Sequence, residues 1–353
     1  MAEDHIQAIS ARRTLTRLRS PAPDTLLTMI NSGRNIVLML VGVVMVAALV
    51  GASQGGADPE KRKKILAAAA TVSPFAWAEV LEQNPDPKVV TDADFFKRIT
   101  ATKWPWRVKD KASGMEMLLV PPGKFVMGMS PGDTEAQVYE KPAHEVTITK
   151  AFYLGRTEVT QVQWMKVMGE NPSAFQDCSR ESLVAKYVNE GLTKQEAQEK
   201  NNPVENVSWD DCQKFCAKTG MILPTEAQWE YACRAGVRKP TYGELDQIAW
   251  YKNNSDSTTH PVAQKAPNAL GFYDMIGNIW EWTNDLYEGE YYKSCADGVV
   301  DPTGPANSDQ RARVLRGGGW IFLAHHCRAS FRFGFAPGGQ YYLIGCRFAR
   351  TTD

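Results

Sequence analysis

The chain lacks net charge: 40 Lys and Arg balance 40 Asp and Glu, giving +0 at pH 7 over 353 residues. No global field would draw it to nucleic acid, so that class of partner is excluded. There is no internal repeat and no low-complexity tract, which excludes solenoids and arrays. There is no Gly-rich phosphate loop, no Ser/His/Asp spacing in a helix or elbow context, and no HExxH. Histidine is scarce, with five residues scattered at His5, His144, His260, His325 and His326. Seven cysteines are too few for a disulfide scaffold, and the odd count leaves at least one thiol unpaired within the chain.

Glycine (27), proline (20) and tryptophan (10) are well represented. They predict a loop-rich fold with aromatic anchors rather than a helical bundle. Ile36 to Ala52 reads IVLMLVGVVMVAALVGA without a charge. At ~1.5 Å rise per residue this run spans roughly 26 Å, enough to cross a bilayer core. Arg12, Arg13, Arg17, Arg19 and Arg34 precede it and favour a cytoplasmic N-terminus; Lys61, Arg62, Lys63 and Lys64 follow it. The expectation is a single-pass membrane protein, anchored through residues 36–52, with its C-terminal domain periplasmic or otherwise extracytoplasmic. A signal peptide cut near Val50-Gly51-Ala52 and the reverse orientation are the alternatives.

The expected organisation is a flexible tail (1–34), a transmembrane signal anchor (35–53), a juxtamembrane linker and helical segment (54–112) and a globular domain (113–353). Ile65–Leu81 reads as an amphipathic helix, broken at Asn84-Pro85-Asp86-Pro87, and Asp92–Ile99 as a short helix. Trp104-Pro105-Trp106 is an aromatic anchor. Met117–Val120, Lys124–Met127, His144–Ile148 and Phe152–Leu154 read as strands. Capping boxes at Thr160/Gln163 and Thr225/Gln228, and a cap at Ser208, open three helices; Gly169, Gly220 and Gly236 lie at or just beyond their ends. Arg180–Lys200 is polar all round and reads as a solvated insert.

Leu223-Pro224-Thr225-Glu226-Ala227-Gln228-Trp229-Glu230-Tyr231-Ala232-Cys233-Arg234 resembles the formylglycine-generating enzyme family, the sulfatase-modifying factor domain. So do Pro122-Gly123-x-Phe125-x-Met127-Gly128, Glu158-Val159-Thr160-Gln161, Pro203-Val204-x-x-Val207-Ser208-Trp209, Gly277-Asn278-x-Trp280-Glu281-Trp282, Arg316-Gly317-Gly318 and Gly345-x-Arg347. The resemblance runs from about Met115 to Arg350. It implies an α+β, C-type-lectin-like fold with low regular secondary structure, here preceded by one N-terminal transmembrane helix.

The family's founding enzyme oxidises a sulfatase cysteine with two active-site cysteines that bind Cu(I), just after a Gly-Gly-Ser-aromatic motif. In this chain Gly317-Gly318-Gly319-Trp320 has glycine in place of serine, and only Cys327 follows nearby. A dithiol or copper centre needs two sulfurs close together. The oxidase function therefore carries over to no residue, no copper is expected, and no catalytic residue is assigned.

The resemblance also implies a structural Ca²⁺ site of Asp274, the carbonyls of Gly277 and Ile279, and Glu281; all the donors are oxygen, as a hard cation prefers. A second family site near Asn254 and Ser255 is less complete. It implies disulfides Cys233–Cys327 and Cys216–Cys346, with Cys212 one helical turn before Cys216 as a substitute, and Cys178 and Cys295 paired or free. Trp280, His325, Arg328 and Arg332 correspond to the neighbourhood of the family's peptide groove; core packing and salt bridges are the competing reading. His325-His326-Cys327 reads as a polar patch rather than a metal site. The function expected is a non-catalytic binding or structural subunit of a membrane-associated or extracytoplasmic complex, with protein partners. The alternative is an oxidative or protein-modifying enzyme on the same scaffold.

Overall fold

A computed structural model of the protein describes residues 75–175 and 202–352. The tail, the apolar run at 36–52, most of the expected helix from Ile65, the polar insert and Cys178 lie outside the described residues. No helix among the described residues is long and apolar enough to cross a membrane.

The architecture is mixed α and β, with short elements and three sheets. One sheet has the order β1 (Ala78–Glu82), β2 (Arg107–Asp110), β3 (Glu116–Val120), β6 (Phe152–Gly155), β12 (Ala349–Thr351). A second runs β10 (Arg332–Phe335), β9 (Arg313–Arg316), β7 (Trp280–Leu286), β11 (Ile344–Cys346). A third joins β4 (Gly123–Met127), β5 (His144–Ile148) and β8 (Val299–Val300). In β3, Met117, Leu118, Leu119 and Val120 are all buried, as a central strand covered on both faces requires. That is why an unbroken apolar run, ended by Pro121-Pro122-Gly123, reads correctly as a strand.

The helices start where their capping residues stand. Asp92 accepts the backbone N–H of Asp94 and Phe95 and opens α1 (Ala93–Ala101). Reciprocal capping boxes open α2 (Gln161–Met168), α3 (Trp209–Thr219) and α4 (Glu226–Arg234). A single turn, α5 (Leu245–Ile248), follows. Gly169 and Gly220 end α2 and α3 in the left-handed region, and α4 ends on Ala235 at φ 45°, with Gly236 just beyond as expected. Helix α4 is buried all round, from Glu226 to Arg234 except Gln228, and forms the centre of the domain.

Two expectations are corrected. Ala78–Glu82 is a strand, not the end of a helix: β1 pairs antiparallel with β2, Ala78 opposite Asp110 and Val80 opposite Val108. The boundary expected at 112/113 cuts a hairpin. β2 pairs with β3, and the turn between them is held by Asp110, whose Oδ1 accepts Ser113 N and Oγ, both at 2.7 Å. Helix α1 also joins the domain: Phe95 and Ile99 are buried, and Arg98 Nη1 donates to Tyr231 Oη of α4 at 2.8 Å. Local sequence does not report the β1–β2 pairing or the contact of α1 with α4, because those partners lie far along the chain. The aromatic anchor does pack as expected, with Trp106 only 3% exposed.

Candidate functional site

Strand β9 ends in Arg316, and the chain then passes through Gly317 (φ 99°) and Gly318 (φ 81°). Trp320 N donates to Asn278 O at 2.8 Å, and Ser255 Oγ donates to Trp320 O at 2.8 Å, so the segment is tied down on both sides. A Cβ at Gly318 would stand 2.9 Å from Cys327 Sγ and 3.0 Å from His326 O. Only glycine lets the chain close over that sulfur. Cys327 is fully buried, and burial pushes its thiol up to about 12. It is thus held neutral, and a neutral thiol is a poor nucleophile and a poor metal ligand.

The residues expected to line a groove are mostly inside the protein. Trp280 is 1% exposed and lies edge-on to Phe322 at 5.3 Å. Arg332 is fully buried and grips Glu226 of α4 through Nε and Nη2, both at 2.7 Å. Arg328 grips Glu140 through Nη1 and Nη2, both at 2.7 Å, and reaches Asp133 Oδ2 at 2.7 Å. A buried guanidinium needs such pairing, since an unpaired charge in the interior is strongly disfavoured. Burial opposes ionisation of Glu226 and Glu140, but the arginines outweigh it and hold both carboxyls below their ordinary range. Arg316 extends the network to Glu226 at 2.9 Å and Glu230 at 2.5 Å. The groove reading of Trp280, Arg328 and Arg332 is therefore replaced by core packing and ion pairs, with Glu226, Glu140 and Asp133 as partners rather than Glu281 or Asp274. His325 alone of the four reaches solvent, half-buried beside His326 at a ring distance of 4.0 Å.

The calcium expectation meets an occupied ligand. Asp274 is buried; its Oδ2 accepts Ala263 N at 2.7 Å, and its Oδ1 has no partner. Glu281, however, takes Arg347 Nε on Oε1 and Oε2 (3.1 and 3.0 Å), Arg347 Nη2 on Oε1 (2.7 Å) and Trp229 Nε1 on Oε2 (2.7 Å). The positive charge that a cation would supply at Glu281 is already supplied by Arg347. Among the described residues no group of three or more His, Cys, Asp or Glu is arranged to hold a metal ion. Of the expected calcium ligands, Glu281 is thus taken by Arg347, while Asp274 keeps one buried oxygen without a partner. Glu158 completes the cluster, accepting Asn278 Nδ2 at 2.8 Å and Ile279 N at 3.2 Å. Burial first, then the charges of Asp274 and Glu281, raise its carboxyl well above the ordinary value.

The six described cysteines are thiols: Cys212, Cys216, Cys233, Cys295, Cys327 and Cys346. Cys233 Sγ faces Met275 O at 4.0 Å, whereas Cys327 Sγ lies under Gly318, so the Cys233–Cys327 pair is not made. Burial, with Cys212 and Cys216 nearby, raises the Cys346 thiol well above its ordinary value.

What reaches the surface beside the glycine-rich segment is aromatic. Trp320 packs with Phe175 at 5.3 Å and Tyr342 at 6.1 Å, and Tyr341 lies 4.4 Å from Tyr342. Phe175, Tyr341 and Tyr342 are half-buried, and Leu323 is 43% exposed. Beneath them Glu205 is wholly buried. Its Oε1 accepts Phe175 N at 2.8 Å, its Oε2 has no partner, and burial raises its carboxyl to about 7. Sequence reasoning missed these residues. Glu205 had a usable signal, a carboxylate wedged between Val204 and Val207; the aromatic grouping had none, since its members come from distant loops.

A family model described as a sulfatase-modifying factor enzyme 1-like domain matches residues 105–352. The chain is 31% identical over 259 residues to the serine/threonine-protein kinase pkn1 of Chlamydia caviae, covering 69% of this chain and 39% of that protein. It spans about two fifths of the length of such relatives. The formylglycine-generating enzyme of Streptomyces coelicolor is 28% identical, over 66% of this chain and 88% of the enzyme. The inactive C-alpha-formylglycine-generating enzyme 2 of Bos taurus is 31% identical over 42% of this chain and 50% of that protein. Among solved structures, Treponema denticola variable protein 1 superposes with a TM-score of 0.54 at 28% identity, covering 67% of this chain and 95% of that one.

Proposed function

We propose, on the premise that this chain belongs to the sulfatase-modifying factor enzyme 1-like domain family, that it is a non-catalytic member acting as a binding or structural subunit. The observation that carries this reading is Cys327. It is the one cysteine in the Gly317–Arg328 segment, its sulfur is closed over by Gly318, and burial pushes its thiol up to about 12. The founding enzyme's two-cysteine chemistry needs an accessible thiolate and a second sulfur within reach. The neighbouring surface supports recognition instead. Phe175, Tyr341, Tyr342 and Leu323 give aromatic and apolar contact area of the kind found at protein interfaces. The partner belongs to a membrane-associated complex, with residues 36–52 as the anchor and the domain on the extracytoplasmic side.

Two measurements test this reading. Co-expression with a sulfatase, followed by mass spectrometry of its target cysteine, should give no formylglycine above the vector control. Affinity capture of the full chain from detergent-solubilised membranes should retain a stoichiometric partner that Leu323→Asp with Tyr342→Ser loses. Conversion of the cysteine, or identical capture by both chains, overturns the proposal.

A further inference from the structure

A second pocket lies away from the glycine-rich segment. It measures about 170 Å³ and is lined by Glu82, Asp86, Trp106, Arg107, Arg156 and Gly271, among others. Glu82 and Asp86 come from the N-terminal part of the domain, before the family match begins at residue 105. The family scaffold alone therefore does not make this pocket.

Its chemistry is unbalanced in one respect. Trp106 is 97% buried in the sense that only 3% of its surface is exposed, and its indole Nε1–H has no acceptor. Arg107 Nε–H, on the next residue, is also buried and has no acceptor. A buried donor left without an acceptor costs about 1–3 kcal/mol, so two beside one pocket call for an occupant. Trp106 and Gly271 meet in the pocket wall: a Cβ on Gly271, at φ 91°, would stand 3.8 Å from Trp106 Cζ2 and 2.9 Å from Val89 Cγ1. Glycine at 271 keeps this wall open.

The charges narrow the occupant. Arg107 pairs with Glu82, and through Nη1 with Glu116 at 3.1 Å; Arg156 Nη1 pairs with Glu116 at 3.0 Å and lies over the Tyr273 ring at 5.0 Å. Two guanidinium groups and two carboxylates, Glu82 and Asp86, thus line the pocket, and Glu116 pairs with both arginines from outside the lining. A simple anion gains a donor pair but meets an acidic rim; a simple cation meets the rim but leaves the donors unsatisfied. At about 30 Å³ per water the pocket holds the equivalent of five or six waters, the size of a molecule with few heavy atoms. We infer that this pocket binds a small zwitterion carrying adjacent carboxylate and ammonium groups, an α-amino acid of about glycine's size. The carboxylate accepts from Trp106 Nε1 and Arg107 Nε, and the ammonium donates to Asp86 and Glu82.

The test is calorimetric titration of the purified full chain with glycine, acetate and methylammonium as separate probes. Glycine should bind, with each half-molecule at least about tenfold weaker. Trp106→Phe keeps an aromatic ring, though a smaller one, and removes the N–H; it should weaken glycine by about tenfold or more, the loss of one hydrogen bond to a charged acceptor. Asp86→Asn, at a half-buried position, should weaken glycine but not acetate, and serves if Trp106→Phe does not fold. No binding of glycine at millimolar concentration, acetate binding as tightly as glycine, or undiminished glycine binding by both variants overturns the assignment.

Discussion

Glu205→Gln should make the protein less sensitive to alkaline pH, by an amount that can be worked out. Burial raises the Glu205 carboxyl to about 7 from an ordinary 4.5. A carboxyl whose folded value lies above its unfolded value binds its proton more tightly when folded. Stability is therefore fully present below pH ~4.5 and falls as pH rises to about 7. The complete loss is on the order of 3 kcal/mol, at 1.36 kcal/mol per pH unit of gap. Between pH 5 and pH 8 the linkage relation gives about 2–3 kcal/mol. Glutamine fits the same space, can still accept Phe175 N through its oxygen, and cannot ionise. Urea denaturation of the full chain and the variant at both pH values isolates this one group, because every other titrating residue is common to both. The variant should gain about 2–3 kcal/mol relative to the parent on going from pH 5 to pH 8. A difference that stays constant to within about 0.5 kcal/mol would falsify the claim that Glu205 is forced to ionise in the interior.

Other expectations follow from the same geometry. Arg332→Met leaves Glu226 without its two-point partner in the core and should cost about 3–5 kcal/mol in urea denaturation; a loss under 1 kcal/mol would show the network to be dispensable. Cys327 should resist iodoacetamide in the native state at pH 8 and react once unfolded, read by mass spectrometry of the labelled peptide; rapid native labelling contradicts a sealed thiol. Added calcium or a chelator should leave the melting temperature unchanged. Stabilisation by calcium that Asp274→Asn abolishes would mean that Arg347 yields Glu281 to the ion.

The parts of this protein legible in its sequence are those with local causes. Capping residues fix where α1, α2, α3 and α4 begin, because a side-chain oxygen three residues from a backbone N–H acts within one turn. The run ending in Pro121-Pro122-Gly123 fixes β3, and the ordered motifs fix the family. Tertiary structure alone decided the rest. Ala78–Glu82 carries no strong strand signal; it is a strand because β2 offers it backbone partners. The family resemblance set Arg328 and Arg332 near a groove, with core packing as the competing reading, and acids on distant elements neutralise them in the interior. The family resemblance made Glu281 a calcium ligand, yet in the folded chain its oxygens are taken by Arg347. Residue type states which partners a charged group accepts; only the folded chain states which of them arrives.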